Sequence, residues 1–225
     1  MKQLLMIFFI AYPLYLFISA ATLKEKKINP YMMISEGQSL LRDGDLVVRL
    51  NRDPTSQFIK NFNRHDKSFS HSGIVLFENG HPFVFHMVSG GENPSGKMKR
   101  DPLKQFCNPR KNSCYGIFRY DMNGCEVQKL KSTILKWYSE GLRFDSAFSL
   151  NSDDKMYCAE MISKALAQAT NNRISIEATQ LTKREIRLFS IYSHHSFPDT
   201  SQIRIIAVDN LYVNRYCREV AKFEW

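Results

Sequence analysis

The chain carries SHSGIVLFENGHPFVFHMV at residues 70–88, and this stretch decides the fold of the region around it. Two runs rich in β-branched and aromatic residues flank Asn79-Gly80, a pair that favours a two-residue hairpin turn because both positions accept a positive φ. Such a turn sets the register of the two strands and places Gly73 opposite His86. His71 and His86 are then diagonal neighbours on one face of the sheet, and Gly73 leaves room between them. The hairpin therefore predicts a pair of contacting imidazoles.

A helix that begins with a cysteine is predicted later in the chain. Residues 155–162 read KMYCAEMI, and apolar residues continue at intervals of three and four as far as Ala169. We expect residues 152–154 to cap this helix and Asn171-Asn172 to end it. Cys158 then lies in the first turn, where free backbone N–H groups and the helix dipole favour a thiolate and lower the thiol pKa. A buried cysteine that only fills the core would fit the same position.

The two segments supply the groups that a cysteine hydrolase needs. Cys158 is the candidate nucleophile, and His71 is the candidate base that takes its proton and later protonates the leaving group. His86 would orient His71 and hold it in one tautomer. Each residue alone also fits a structural role, so the hypothesis depends on their predicted proximity.

The other predicted elements complete an α+β pattern, with strands around an early hairpin and helices packed to the side. A helix is predicted over residues 126–140, with Gly141 as its stop, and a second, basic helix over residues 181–189. Further strands are predicted at residues 46–50, 115–120 and 203–208.

Four motifs in this order resemble a known family of cysteine hydrolases. They are GDLVV at 44–48, SHSGIV at 70–75, FD at 144–145 and YCAEM at 157–161. Their order is similar to that of the YiiX/YaeF-like permuted papain-fold amidases, which belong to the NlpC-like superfamily and are distantly related to lecithin:retinol acyltransferase. The histidine precedes the cysteine, which is the reverse of the order in papain. The resemblance covers roughly residues 37–170.

This resemblance implies a circularly permuted papain-like (NlpC-like) fold, with an antiparallel sheet and flanking helices. It implies Cys158 as nucleophile and His71 as base, and the third position, polar and often acidic in relatives, would be His86. Glu160 matches a recurrent acidic position, where it would either bind substrate or cap the helix.

The N-terminus has the pattern of a targeting segment. Residues 4–21 form an apolar stretch that follows Lys2 and ends in Ser-Ala-Ala, before a charged run. We expect residues 1–21 to be a secretory signal peptide and residues 22–225 to form one hydrolase domain, exported to the periplasm or secreted. The same stretch is also long enough for a membrane anchor.

Cysteine usage makes a further prediction about redox state. An exported chain with an odd number of cysteines suggests one free thiol and up to two disulfides, of which Cys107–Cys114 is the natural first pair because it encloses a turn-rich segment. No cofactor and no metal site are expected, because no C-x-x-C motif occurs and His194-His195 has no companion ligands. The five cysteines are Cys107, Cys114, Cys125, Cys158 and Cys217.

The formal net charge of +9 bears on the partners of the protein. Basic residues crowd into residues 90–113, which are also rich in Gly, Pro and Asn and are predicted to form a long loop after the His86 strand. Such a loop would attract an anionic or acylated small substrate, a cell-wall peptide or a lipid, and would allow contact with a membrane surface. An ordinary solvated charge run fits equally well. Nucleic acid is a poor candidate, because no recognised binding motif occurs.

These observations favour an exported cysteine hydrolase that cleaves an amide or related acyl bond through a thioester on Cys158. A lipid acyltransferase would share the first half of that reaction. A non-catalytic lipid- or peptide-binding module would keep the groove without turnover.

Overall fold

The computed structural model describes residues 29–193 and 202–225. The predicted signal peptide at residues 1–21 and the His194-His195 pair lie outside these residues. Among the described helices, none combines the length and the apolar character needed to cross a membrane.

Six antiparallel strands form the central sheet, in the spatial order β10-β5-β1-β2-β3-β4. Four shorter strands form two separate pairs, β6 with β7 and β8 with β9. In chain order, the strands are β1 (Leu46–Asn51), β2 (His71–Glu78), β3 (His81–His86), β4 (Lys99–Pro102), β5 (Asn112–Tyr120), β6 (Arg143–Phe144), β7 (Lys155–Met156), β8 (Thr179–Gln180), β9 (Arg204–Ile205) and β10 (Cys217–Glu224).

The helices pack on both faces of this sheet. They are α1 (Pro30–Leu40), α2 (Pro54–Ile59), α3 (Leu103–Phe106), α4 (Gly124–Ser139), α5 (Cys158–Ala169) and α6 (Lys183–Ser193). Helices α4 and α5 cover one face, where Ile74 and Leu76 of β2 join their core. Helices α1 and α3 cover the other face, where Val75 lies between those two residues in sequence. Strand alternation thus sends successive side chains of β2 into two different cores.

The predicted hairpin is confirmed in its turn and its register. Asn79 and Gly80 have φ values of 50° and 79°, as a two-residue turn of this type requires. Glu78 pairs with His81 and Val75 with Val84 across the two strands. The local sequence therefore suffices to align β2 and β3.

Three predicted helices are also confirmed, with shifts at their ends. Helix α4 begins directly after a reciprocal cap, in which the side chains of Asn123 and Glu126 each accept a hydrogen bond from the other residue's backbone N–H. Helix α5 ends before Asn171 and Asn172, which both have positive φ. The predicted basic helix at residues 181–189 is present as α6, which begins two residues later and ends four residues later than expected.

Two predictions about the connecting segments are wrong. Residues 90–113 are not a long loop, because they contain β4, α3 and the start of β5. The predicted strand at 203–208 is only the two-residue β9, and residues 208–211 form a 3₁₀ turn. The strand and the helix within residues 90–113 were not predicted, because their basic side chains are equally typical of a solvated loop.

The predicted disulfide between Cys107 and Cys114 is also wrong, since all five cysteines are free. Cys107 is buried in the core that contains α1 and α3. Cys114 packs against the opposite core, beneath α4 and α5. The neighbouring Tyr115 points to the Cys107 side, so the alternation of β5 turns Cys114 away from its expected partner.

Candidate active site

A cleft of about 730 Å³ opens where β1 ends and β2 begins, and both His71 and Cys158 line it. Cys158 lies in the first turn of α5, and His71 is the first residue of strand β2. A smaller apolar pocket of about 40 Å³ adjoins the first at Cys158, Ser70 and Phe148. The structure therefore brings the predicted thiol and imidazole to one cavity.

His71 and His86 are in direct contact, as the hairpin predicts. His71 Nε2 lies 2.9 Å from His86 Nδ1, and the two rings meet edge to face. Gly73 makes this approach possible, since a Cβ at that position would lie 3.1 Å from the Cβ of His86 and 2.4 Å from Val84. Both imidazoles are buried and also pack against the ring of Phe106.

Asp101 extends this pair into a chain of three residues, and sequence reasoning missed it. Its Oδ2 lies 3.1 Å from His86 Nε2 and 2.9 Å from Lys99 Nζ, while Gln105 donates to its Oδ1. Burial raises the pKa of Asp101, but the hydrogen bonds from His86 and Lys99 outweigh burial and hold that pKa below its usual value. Asp101 is therefore a carboxylate at neutral pH and can only accept.

The hydrogen-bond pattern assigns the protons along this chain. Because the Asp101 carboxylate accepts, His86 Nε2 carries a proton and His86 Nδ1 is an acceptor. His71 Nε2 must then donate to His86 Nδ1, which leaves the lone pair of neutral His71 on Nδ1. The arrangement thus presents the one ring nitrogen of His71 that is not bonded to His86 as a base.

Both histidines are neutral at pH 7 for electrostatic reasons. Burial lowers the pKa of His71 well below 6.5, and the charges of Arg49 and Lys99 lower it further. Burial also lowers the pKa of His86, although the hydrogen bond from His86 to Asp101 opposes the shift. A neutral His71 is the form that can accept a proton.

The thiol of Cys158 differs from the prediction. Cys158 is half-buried in a dense part of the cleft wall, and burial raises its pKa, although nearby Ser72 and the backbone N–H groups at the start of α5 lower it in part. The predicted lowering by the helix start is therefore smaller than the cost of desolvation. No hydrogen bond joins Cys158 to His71 within residues 29–193 and 202–225, so the two groups share the cavity as a neutral thiol and a neutral imidazole.

Glu160 has structural contacts in this fold. The predicted caps at residues 152–154 are wrong, because Tyr157 is the N-cap of α5 and its backbone N–H donates to Glu160. Lys164 Nζ lies 2.9 Å from the same carboxylate, and burial raises the pKa of Glu160 to about 7. Glu160 is absent from the described residues that line the cleft of His71 and Cys158. Its predicted substrate-binding role stays a prediction.

Asp145 shapes the wall of the cleft beside Cys158. Its carboxylate accepts hydrogen bonds from the backbone N–H groups of Ala147 and Ser149. These bonds hold a tight loop in which Phe148 has a φ of 53° and lines both the cleft and the apolar pocket. The acidic residue of the third motif therefore positions an aromatic side chain next to the thiol.

Comparison with known proteins finds relatives of this chain. The uncharacterised protein YiiX of Escherichia coli (strain K12) is 31% identical over 134 residues, which are 58% of this chain and 60% of that protein. The match thus spans less than two thirds of the relative's length. The crystal structure of metalloprotein yiiX from Escherichia coli O157:H7 covers 82% of this chain and 98% of that chain, with a TM-score of 0.64 and 22% identity, and it is similar in fold.

Residues 40–188 match the family described as permuted papain-like amidase enzymes, YaeF/YiiX, C92 family. The matched range contains both histidines, the start of α5 and five strands of the central sheet. The α+β fold with its antiparallel sheet is the permuted papain-like fold that the sequence predicts. The chain therefore belongs to the permuted papain-like amidases of the YaeF/YiiX family.

Proposed function

We propose that the protein is an exported hydrolase that cleaves an amide or related acyl bond through a thioester on Cys158, with His71 as base and His86 and Asp101 as positioning residues. The observation that carries this proposal is the chain from Asp101 through His86 to His71, which ends at the cleft that also holds Cys158. A buried chain of this kind has no evident use in packing, because an apolar set of side chains would fill the space at lower cost.

The proposed reaction begins with proton transfer from Cys158 Sγ to His71 Nδ1 as the sulfur attacks the substrate carbonyl carbon. Free backbone N–H groups at the start of α5 stabilise the oxyanion that forms. The intermediate collapses to a thioester when the leaving amine takes the proton from His71 Nδ1. Water then attacks the thioester, giving up a proton to His71, and the carboxylic acid product leaves as Cys158 Sγ recovers that proton.

Electrostatics favour a neutral resting pair in this mechanism. The raised pKa of Cys158 and the lowered pKa of His71 both oppose a preformed thiolate–imidazolium pair. We therefore infer that the thiol is deprotonated only as it attacks, which requires His71 to move within hydrogen-bond distance when substrate binds. Apo enzymes often show such loose catalytic geometry.

The E. coli O157:H7 protein of known structure is called a metalloprotein, which makes a metal site worth testing in this chain. No group of three or more His, Cys, Asp or Glu side chains is arranged to hold a metal ion in the part of the chain that the structure describes. His71 Nε2 and both nitrogens of His86 are already engaged in the hydrogen-bonded chain. These donors do not fit a metal ion, and no step of the proposed reaction passes through one.

Substrate and location complete the proposal. The apolar segment at residues 4–21 supports export or membrane anchoring, and the basic side chains around the cleft support an anionic or acylated small substrate, such as a cell-wall peptide or a lipid. The apolar pocket beside Cys158 also favours a second candidate, an acyltransferase that passes the acyl group to an acceptor other than water.

Acyl-enzyme trapping tests these alternatives. Full-length protein is incubated with short N-acyl amides and acyl esters, and intact-mass spectrometry follows the acyl adduct. We expect an adduct that is absent from Cys158→Ala and present in Cys125→Ala, which removes an exposed cysteine as a matched control. Partition of the adduct between water and an added amine separates hydrolysis from transfer. Binding of a substrate without any adduct would support a non-catalytic module instead.

A further inference from the structure

Arg49 lies directly beside the candidate base. It is the cross-strand partner of His71, so the two Cβ atoms are about 5 Å apart on the same face of the sheet. The arginine is only 4% exposed, and one of its N–H groups donates to the carbonyl of Phe106 at 2.7 Å. Its Nε is buried and has no hydrogen-bond partner among the described residues. A buried cation here requires an anion, because an unpaired buried charge is costly.

Glu92 supplies that anion from a short turn at the rim of the cleft. Its Oε2 lies 2.9 Å from Arg49 Nη2, and its Oε1 lies 3.5 Å from Lys111 Nζ. Burial raises the pKa of Glu92, but the two cations outweigh burial and hold the pKa below its usual value. One carboxylate thus bridges a buried arginine and an exposed lysine, both of which line the cleft.

Open space surrounds the two glycines of the turn that carries Glu92. Glu92 ends the 3₁₀ turn Gly90–Glu92, in which Gly90 has a φ of 71°. A Cβ at Gly90 or Gly91 would meet nothing within 4 Å. One backbone hydrogen bond, from the Asn93 N–H to the Gly90 carbonyl, closes the turn, and the two ion pairs hold the carboxylate of Glu92.

The charge balance of the cleft favours a second anion. Among the described residues that line it, four are basic, Arg49, Arg52, Arg110 and Lys111, and two are acidic, Asp53 and Glu92. An incoming carboxylate can replace Glu92 without leaving the buried arginine unpaired at the end of the exchange. A carboxylate fits best, because Glu92 itself shows the geometry, with one oxygen on each cation.

We propose that Arg49 and Lys111 form a subsite for a substrate carboxylate next to the scissile bond, and that Glu92 occupies this subsite as an internal competitor. The place of the subsite in catalysis rests on the proposed function, since His71 defines where the bond is cleaved. The substrate class is then an acyl compound that carries a carboxylate within a few ångströms of its amide or ester group. Displacement of Glu92 frees the turn at the rim of the cleft.

Ligand binding to the full-length Cys158→Ala protein tests this inference without requiring turnover. Calorimetry at low salt compares glutarate, its neutral diamide and inorganic phosphate. We expect glutarate to bind and the diamide to bind at least about tenfold more weakly, the ratio that 1.4 kcal/mol represents. Phosphate bound as tightly as glutarate would overturn the carboxylate assignment.

Substitution of Glu92 gives the decisive contrast. Glu92→Gln removes the competitor, so the open subsite becomes more populated and glutarate should bind about 3- to 10-fold more tightly. A purely structural ion pair predicts the opposite, because its loss would loosen the cleft and weaken binding. Equal or weaker glutarate binding by a folded Glu92→Gln protein would overturn the proposal.

Two further variants complete the design. Lys111→Gln should weaken glutarate binding several-fold, whereas Lys104→Gln, which removes a basic side chain outside the cleft lining, should leave it unchanged. Glutarate affinity that is insensitive to Lys111→Gln would contradict the subsite. Glutarate binding that persists while no acyl adduct forms on Cys158 would reject the proposed function and keep the subsite. Formation of the acyl adduct without selectivity for a carboxylate would reject the subsite and keep the proposed function.

Discussion

Replacement of Asp101 tests the proton arrangement on which the proposed mechanism depends. In the Asp101→Ala protein, His86 Nε2 loses its acceptor, and nothing then holds the lone pair of His71 on Nδ1. In the Asp101→Asn protein, the side-chain oxygen can still accept from His86 if Gln105 turns its amide to accept from the new NH₂ group. Asp101→Asn therefore removes the negative charge and can keep the histidine tautomers, whereas Asp101→Ala removes both.

The magnitude follows from the type of hydrogen bond that is lost. A hydrogen bond to a charged group contributes about 1.5–3 kcal/mol, so Asp101→Ala should lower kcat/KM about 10- to 150-fold. Asp101→Asn replaces a charge-assisted bond by a neutral one, at a cost of about 1 kcal/mol, and should lower kcat/KM about fivefold. The expected order of activity is wild type, then Asn, then Ala.

The assay combines steady-state kinetics with NMR of the imidazole nitrogens. Wild-type protein at pH 7 should show His71 protonated on Nε2 and His86 protonated on Nε2, and Asp101→Ala should show mixed tautomers. Glu78→Ala is the matched control, because it removes a carboxylate that is paired with β4 through Arg100 but does not touch either imidazole. An Asp101→Ala protein with the kcat/KM of the wild type, or with an unchanged NMR signature, would refute the proton positions assigned to Asp101, His86 and His71.

Three further predictions concern the thiol, the histidines and the hairpin. Cys158→Ala should abolish turnover and keep the fold. Alkylation of Cys158 by iodoacetamide should be slow at pH 7 and faster at pH 9, because burial raises the thiol pKa. Mass spectrometry that finds faster labelling at pH 6 than at pH 8 would contradict this expectation. The pKa values of His71 and His86 lie below the unfolded value near 6.5, so the folded state binds fewer protons than the unfolded state. The free energy of unfolding should therefore fall as the pH drops below about 6.5, by up to about 1.4 kcal/mol per pH unit for each histidine. Equal stability in denaturant titrations at pH 7.5 and pH 5.5 would exclude this pH dependence. Gly73→Ala should destabilise the protein by about 1–3 kcal/mol in thermal unfolding, since its Cβ would lie 2.4 Å from Val84, and a neutral effect would mean that the hairpin relaxes freely.

Several features follow from the sequence because their causes are local. The Asn79-Gly80 turn sets the pairing of β2 and β3 through backbone conformations that only a few residue types accept, so the contact between His71 and His86 could be predicted. Apolar periodicity and the Asn171-Asn172 pair likewise define α5 with Cys158 in its first turn. Each of these inferences uses residues that are close together along the chain.

Other features depend on how distant segments meet. Asp101 reaches His86 only because β4 pairs with β3 across a long connection whose Gly, Pro and Asn residues indicate turns but do not set a strand register. Basic neighbours of Asp101 made the segment resemble a solvated loop. Cys114 turns away from Cys107 because β5 lies between two cores. The pKa of Cys158 depends on how densely the folded chain surrounds it, and desolvation of this kind is a property of the packed structure that no local pattern records.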